Sequence, residues 1–350
     1  MCKFSSFVDI KSVLGTFEPD DMISVCKREN NSKRDFLFVN KYQGKHVPCK
    51  PSDTLRLFED LRTAITNDSR WNRNEKICVI GFAETATAIG AYIPNKYVYY
   101  LQTTREESNE PLLIDFKEEH SHATEQRLHG DLQKLKKCDR ILFVDDEIST
   151  GNTIMNAIEQ LNKIKDFKYS VASFLNLMSY GNARNFAIKG INTHTLIRGE
   201  IKDMNKKLDI YIKEDTTNYE ESTIKNRKNS ILVVGLEEDM YAGLLAAYQL
   251  EKDGKNVYFQ ASTRSPIYPC DSRNYILKNR IKFPCLKDKS RKTYLYNINN
   301  YKQIIVIGEN IGDSEWEKKV SKILSPICKC LSFCNSINVS NCETTKGGVK

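Results

Sequence analysis

The sequence predicts an α/β protein of two successive units, each a parallel sheet packed with helices. Three observations predict it. Short apolar, β-branched runs alternate with stretches of helical periodicity along most of the chain. A polar, aperiodic segment at 213–230, KEDTTNYEESTIKNRKNS, interrupts that alternation. Beyond it, the order of strand, acidic turn, helix and strand starts again. At 350 residues, 40% hydrophobic and 28% charged, the chain falls outside the ranges of disordered, collagenous and coiled-coil proteins.

Taken in order, residues 1–30 read as an N-terminal extension and 31–212 as the first domain. Residues 213–230 are the linker, 231–335 the second domain, and 336–350 a polar tail that the composition predicts to be mobile. Strands are expected at 77–81, 97–101, 141–144 and 169–175, each a compact apolar run. Helices are expected at 54–65 and 153–164, where apolar residues recur at helical spacing. In the second domain, strands are expected at 231–235, 257–260 and 304–308, and a helix at 240–250.

The two halves echo each other. ICVIGFAETATAIGAYI (77–93) and YVYYLQTTR (97–105) are answered by ILVVGLEEDMYAGLLAAYQL (231–250) and NVYFQASTR (256–264). RILFVDDEISTG (140–151) is answered by QIIVIGENIGDS (303–314). This pattern suggests a duplicated unit. The decisive turn differs between the halves: Asp145-Asp146 gives way to Gly308-Glu309, and Thr150-Gly151 to Asp313-Ser314. The second copy therefore reads as degenerate, without the chemistry of the first.

The net charge of +8 is mild and spread along the chain, as suits polyanionic small molecules as well as nucleic acid. No helix-turn-helix, RNP aromatic motif or zinc finger is visible, which argues against nucleic acid. No run approaches the roughly 20 apolar residues of a membrane helix. The first residues lack the apolar core of a secretory signal, so a cytoplasmic location is expected. The eleven cysteines follow no disulfide framework. The last four, Cys328, Cys330, Cys334 and Cys342, match no established zinc spacing and have no histidine nearby.

Chemistry concentrates in Ile141–Thr153. A buried strand delivers the carboxylates of Asp145 and Asp146 to its C-terminal edge, where α/β sheets hold ligands. The turn that follows, Glu147-Ile148-Ser149-Thr150-Gly151-Asn152-Thr153, is rich in hydroxyls and opens a helix. Such a turn offers N–H groups and a helix dipole to a phosphate. Carboxylates accept hydrogen bonds from vicinal hydroxyls, so a sugar diol beside a phosphate is the matching ligand. Gly81-Phe82-Ala83-Glu84-Thr85-Ala86-Thr87 follows another strand, and its small and hydroxylated residues allow an anion to approach closely. Glu84 does not suit pyrophosphate unless it meets Mg²⁺ or a substrate amine.

The Ile141–Thr153 stretch resembles the phosphoribosyl-diphosphate (PRPP) motif of type I phosphoribosyltransferases. The resemblance implies a Rossmann-like parallel sheet with Asp145 and Asp146 on the ribose hydroxyls. It implies that residues 147–153 cradle the 5′-phosphate and that the Ala83, Glu84, Thr85 and Ala86 loop receives pyrophosphate. Arg105, after Thr103-Thr104, matches the cation that orotate-type members use on the leaving group at the start of a mobile loop. His120 and His122 lie in the same loop and would contact phosphate or substrate, or bind a metal. Lys41, Lys45 and His46 would belong to a hood over the base, the alternative being a surface hairpin. Mg²⁺ is expected to be held by PRPP near the two aspartates, without a dedicated protein cluster. A homodimer is also implied.

Further texture is more specific: Asn40-Lys41…Gly44-Lys45-His46-Val47-Pro48, Gly81–Glu84, Glu119–Ala123 and Ala261–Pro266. Together these are similar to the phosphoribosyltransferases of bacterial tellurium-resistance operons. Those carry an orotate-type domain followed by a TRSP domain, named for the tetrapeptide found here at Thr263–Pro266. The implied reaction exchanges the pyrophosphate of PRPP for a nitrogenous base, or the reverse. Two other readings stay open: a regulator that only senses PRPP or nucleotides, and a subunit whose second domain is an interaction module. Arg264 is the candidate of the second domain, either in an anion site or paired with Glu237, Glu238 or Asp239.

Overall fold

A computed structural model describes all residues except 1–2, 30–33, 73, 94–97, 118–124, 209, 211–226, 271, 273, 299, 310 and 337–350. The strands of the first half are β1 (Val8–Val13), β2 (Ile23–Lys27), β3 (Phe36–Asn40), β4 (Ile77–Gly81) and β5 (Val98–Thr104). They continue with β6 (Leu112–Lys117), β7 (Glu125–His129), β8 (Arg140–Ile148), β9 (Lys168–Asn176) and β10 (Asn192–Ile201). The helices among them are α1 (Pro19–Met22), α2 (Pro51–Thr66), α3 (Ala86–Tyr92), α4 (Leu132–Lys136), α5 (Asn152–Leu161) and α6 (Tyr180–Ile188). Then come β11 (Arg227–Gly235), α7 (Met240–Lys252), β12 (Val257–Ala261), β13 (Arg280–Pro284) and β14 (Lys292–Tyr296). The chain closes with β15 (Tyr301–Gly308), α8 (Ser314–Leu324) and β16 (Cys328–Asn335).

These elements form two compact units. One contains residues 2–25 and 55–206, the other residues 26–54 together with 207–350. The expected boundary at 31 thus differs from the spatial one, because residues 26–54 group with the C-terminal half. Backbone pairing explains this: Cys49 and Phe259 exchange N–H···O bonds of 3.0 and 2.8 Å, and Ala261 N donates to Gly44 O at 2.6 Å. The segment thereby satisfies the outer edge of β12, which would otherwise be exposed.

The first unit is built on an eight-stranded sheet ordered β1-β10-β9-β8-β4-β5-β7-β6. Strands β10, β9, β8, β4 and β5 are parallel; β1 and the β6–β7 hairpin add antiparallel edges. Each central strand is buried over most of its length, as parallel strands covered by helices must be. Phe82 stacks on Phe143 at 5.6 Å and Phe58 on Phe174 at 6.0 Å within this core. Residues 112–117 fall in the stretch expected to be a mobile loop, yet they form β6. Their alternation explains it: Ile114 and Phe116 are buried while Asp115 faces solvent.

The second unit holds a four-stranded sheet ordered β12-β11-β15-β16, with every pairing parallel. This repeats the order β5-β4-β8-β9 of the first unit, strand for strand. Leu232, Val234, Ile304, Val306, Trp316 and the β13 residue Phe283 fill one face. The Trp316 indole N–H donates to Pro284 O at 2.8 Å, so its polar edge is satisfied inside that core. Among the described residues no helix is long and apolar enough to cross a membrane.

Two buried histidines make stability pH-dependent. His194, on β10, is 3% exposed, with Nδ1 3.1 Å from Asp68 Oδ2 and its ring edge-on to Trp71. Burial drives its imidazole down to about 4, against the opposing pull of Asp68. Burial, helped by the Lys45 charge, also takes His46 well below the ordinary value. Both are folded neutral, so the unfolded chain takes up protons first as pH falls below about 6.5. The stability that His194 contributes is complete above that pH and is lost on the way down to about 4, and that of His46 is lost in the same direction. We expect urea denaturation of the first unit to show a loss of about 2 kcal/mol between pH 7 and pH 5. His194→Asn should flatten that slope; an unchanged slope in the variant would assign it to other groups.

Candidate functional site

The site begins with register. Gly81, at the end of β4, pairs with Gln102 of β5 on one side and Val144 of β8 on the other. Of the three strands in this row β4 ends here, while β5 runs on to Thr104 and β8 to Ile148. β4 and β5 are joined through α3 on one side, while β8 lies on the other side of β4, so the crevice between β4 and β8 is a topological switch point. One step beyond the row stand Phe82, Thr103 and Asp145; the chain leaves the sheet at once after β4, whereas Thr103 stays paired with β7 and Asp145 with β9.

The first segment is fixed by backbone and hydroxyl bonds. Phe82 N donates to Val144 O at 3.0 Å, and Ala83 N donates to the buried Thr103 Oγ1 at 2.8 Å. Gln126 Nε2 donates to Ala83 O at 3.4 Å, and the Ala83–Glu84 peptide is cis. Thr87 Oγ1 donates to Glu84 O at 2.9 Å, tying the turn to the start of α3. Thr85 and Ala86 are buried, whereas Ala83 and Glu84 are half-buried at the mouth. Thr103 escaped notice in the sequence as an anchor, although its counterpart Ser262 in the repeat was the available signal.

The second segment is the acidic strand end. Residues 140–144 of β8 are buried and Asp145, Asp146 and Glu147 are half-buried, so the strand emerges at its carboxylates. Asp145 Oδ1 accepts a hydrogen bond from Asp146 N at 2.8 Å, which fixes the first carboxylate against its own backbone. Ile148 is buried, and its carbonyl accepts from Leu177 N at 2.7 Å. Ser149, Thr150, Asn152 and Thr153 are half-buried around Gly151, which holds the N-cap of α5 with φ 82°. A Cβ at Gly151 would lie 2.5 Å from the Phe186 ring and 3.3 Å from Met178 Sδ. Only glycine meets both the left-handed backbone and that wall.

The third segment is the end of β5. Thr104 Oγ1 accepts from Glu106 N at 3.0 Å, turning the chain immediately after the half-buried Arg105. The antiparallel pairs Thr103↔Leu128 and Thr104↔Arg127 hold this end against β7. His120 and His122 lie outside the described residues. Lys41, Lys45 and His46 belong to the second unit, where His46 is buried with its ring 5.8 Å from that of Tyr296.

Among the described residues no group of three or more His, Cys, Asp or Glu side chains is disposed to hold a metal ion. Asp145 and Asp146 are adjacent oxygen donors at the mouth, and that donor set fits Mg²⁺, which binds one or two carboxylates together with substrate oxygens. Arg264 is engaged within its own unit. Its Nε and Nη2 donate to Glu237 Oε2 at 3.1 and 2.8 Å, and Nη2 reaches Glu238 Oε1 at 3.4 Å.

Models of two protein families match most of the chain. Residues 22–200 match the model of a phosphoribosyl transferase family, and residues 199–324 match the TRSP domain that lies C-terminal to it. No curated protein matches the chain. Similar solved structures include adenine phosphoribosyltransferase from Rhodothermus marinus, 14% identical over 51% of this chain and 94% of that one, with a TM-score of 0.35. The adenine phosphoribosyl transferase of Trypanosoma brucei, solved with AMP, pyrophosphate and ribose-5-phosphate, is 14% identical over 59% and 96%, TM-score 0.39. That of Saccharomyces cerevisiae is 11% identical over 50% and 94%, TM-score 0.34. With the phosphoribosyl transferase model covering more than half of its length and the TRSP model most of the remainder, the chain belongs to the phosphoribosyl transferases that carry a C-terminal TRSP domain.

Proposed function

We propose that this phosphoribosyltransferase binds PRPP across the β4–β8 switch point and exchanges its pyrophosphate for a nitrogenous base. One observation carries the reading: the shared row of Gly81, Gln102 and Val144, beyond which β4, β5 and β8 carry all three candidate segments on the same edge of the sheet. The ribose diol meets Asp145 and Asp146. The 5′-phosphate sits over Gly151 at the start of α5, among Ser149, Thr150, Asn152 and Thr153, where first-turn amides and the helix dipole face an anion. Pyrophosphate rests on Ala83–Ala86, with Arg105 at its flank. Mg²⁺ would be held by PRPP oxygens near Asp145 and Asp146 and would supply positive charge to the departing group. The enzyme acts as a homodimer in the cytoplasm.

In this reaction the bond between C1′ and the pyrophosphate oxygen breaks while a base nitrogen bonds to C1′. The base loses its proton, and pyrophosphate leaves with the electron pair. Positive charge grows on the ribose ring in the transition state. The chain's contribution is positioning and charge: the diol and phosphate are fixed at two points, which holds C1′ between leaving group and nucleophile. Arg105 meets the negative charge that develops on the leaving oxygen.

Asp145→Asn combined with Asp146→Asn should raise the PRPP dissociation constant at least about a hundredfold, since each hydroxyl bond to a charged acceptor contributes about 1.5–3 kcal/mol. The fold should persist, because an asparagine Oδ1 still accepts the Asp146 backbone N–H. Calorimetry with PRPP and Mg²⁺ on the folded double variant reads this directly, and wild-type affinity would remove the ribose assignment. Arg105→Ala should lower kcat about 100-fold or more while the KM for PRPP stays within a few-fold. A raised KM with unchanged kcat would make Arg105 a ground-state binding residue instead.

A further inference from the structure

Two cysteines that form no pattern in the sequence are brought together by the fold. Cys78 lies on β4 between Tyr99 of β5 and Ile141 of β8. Cys138 lies at the entry to β8, where Asp139 N and Arg140 N both donate to Lys76 O, at 2.7 and 3.2 Å. Lys76 N returns a bond of 2.9 Å to Asp139 Oδ2. These bonds seat the chain before β8 against the start of β4, and the two thiols are hydrogen-bonded to each other. Among the described residues of the first unit they are the only cysteines.

The pair is asymmetric. Cys78 is fully buried, whereas Cys138 is 4% exposed, next to the exposed Lys136 and Lys137. Burial, followed by the bond to Cys138, pushes the Cys78 thiol well above its usual range. Cys138 goes the other way. The bond from Cys78 lowers it by more than burial and the Asp139 charge raise it, and the Lys165 and Lys76 charges add to the lowering. Lys165 is fixed there, since its Nζ donates to Cys138 O at 2.6 Å. The buried Cys49 and Cys285 are by contrast pushed up to about 12. A sulfur with thiolate character near the surface, backed by a second thiol, has the makings of a nucleophilic and a resolving cysteine.

We propose that Cys138 and Cys78 form a dithiol that a hydroperoxide closes to an intramolecular disulfide, pinning β4 to the entry of β8. The Cys138 thiolate attacks one oxygen of hydrogen peroxide. The O–O bond breaks, and the other oxygen leaves with the electron pair as hydroxide, which takes up the proton lost from the thiol. Cys138 is then a sulfenic acid. The Cys78 sulfur attacks Cys138 Sγ, the S–O bond breaks, and water leaves with the Cys78 proton. Two thiols are thus oxidised by two electrons, and one peroxide is reduced to two waters. Cys78 needs no access from outside, because it meets only Cys138. The pair sits at the N-terminal ends of β4 and β8, away from the ligand edge, so the inference does not rest on the proposed function.

The test treats the reduced full chain with hydrogen peroxide, alkylates the remaining thiols after denaturation, and maps peptides without reduction. A Cys78–Cys138 linkage should dominate and should disappear with dithiothreitol. A bond that fits the native sheet restricts the unfolded chain, so the thermal midpoint should rise by about 5 °C or more and fall back on reduction. In Cys78→Ser, dimedone should trap the Cys138 sulfenic acid; in Cys138→Ser, Cys78 should stay a thiol. Recovery of both residues as free thiols once the exposed Cys330 has been oxidised would overturn the proposal. So would a link from Cys138 to a different cysteine, or an unchanged or lowered midpoint. The wild-type map needs no variant and decides the matter even if a substitution impairs folding. Failure of PRPP to bind would remove the ribose-phosphate assignment and leave the disulfide standing.

Discussion

Much of this molecule depends on a contact between two glycines. A Cβ on Gly90 of α3 would lie 3.0 Å from the Gly81 Cα, and a Cβ on Gly81 would lie 2.6 Å from Ala86 O. With no side chain on either residue, the helix backbone lies directly against the strand end, and the turn between them must be short. That turn is 82–85. Because Phe82 N is bonded to Val144 O, the height of the turn is fixed relative to the carboxylates of β8. The same device appears in the second unit, where a Cβ on Gly243 of α7 would lie 2.7 Å from the Gly235 Cα. Larger residues would have to move backbone, which no rotamer change can relieve. The spacing between anion loop and acidic strand is therefore a property of the glycines and not of the polar residues that use it.

With a common frame, the two units diverge only in what the frame presents. In the first, the N-cap of α5 is Gly151, which has no side chain to cap the first-turn amides. In the second, Asp313 caps α8 by accepting from Glu315 N at 3.0 Å and Trp316 N at 3.1 Å. Lys289, 2.6 Å away, and these two amides hold the Asp313 carboxyl below its usual range. The second unit has thus placed its own carboxylates at both positions that the proposed function gives to anions in the first unit, Glu237 at the strand turn and Asp313 at the helix start. Self-capping of this kind satisfies first-turn amides of the helix.

The sequence disclosed the central strands because a parallel strand covered on both faces must be apolar throughout. Ile77–Gly81 was legible to the residue, and 141–144 lay within Arg140–Ile148. Edge elements were less legible. β1, with only Val8 buried, β10, the β13–β14 hairpin and β16 mix polar and apolar residues because one face or one edge meets water, and Cys328-Lys329-Cys330 drew attention to its thiols instead. The paired aspartates and Thr150-Gly151 were legible because their chemistry is carried by side-chain type. The membership of 26–54 was not. It rests on the main-chain bonds of Gly44 and Cys49 to β12, and a backbone N–H has no residue signature.

The same distinction explains why Arg264 was legible as a residue and not as a role. Its place three residues beyond the Ala261 register position mirrors that of Arg105 beyond Gln102, and both the repeat and the TRSP tetrapeptide display it. What it does is decided by Glu237, the residue two positions beyond Gly235. An alanine at the corresponding position of the first unit leaves the anion place open, whereas glutamate closes it. Removing one partner of a buried ion pair strands the other charge, so Arg264 and Glu237 are constrained as a couple. In the first unit the corresponding loop residue, Ala83, is neutral, so this position supplies no carboxylate to Arg105. Retention of the arginine in both copies is thus compatible with opposite roles, and the residue at the turn, not the arginine, separates them.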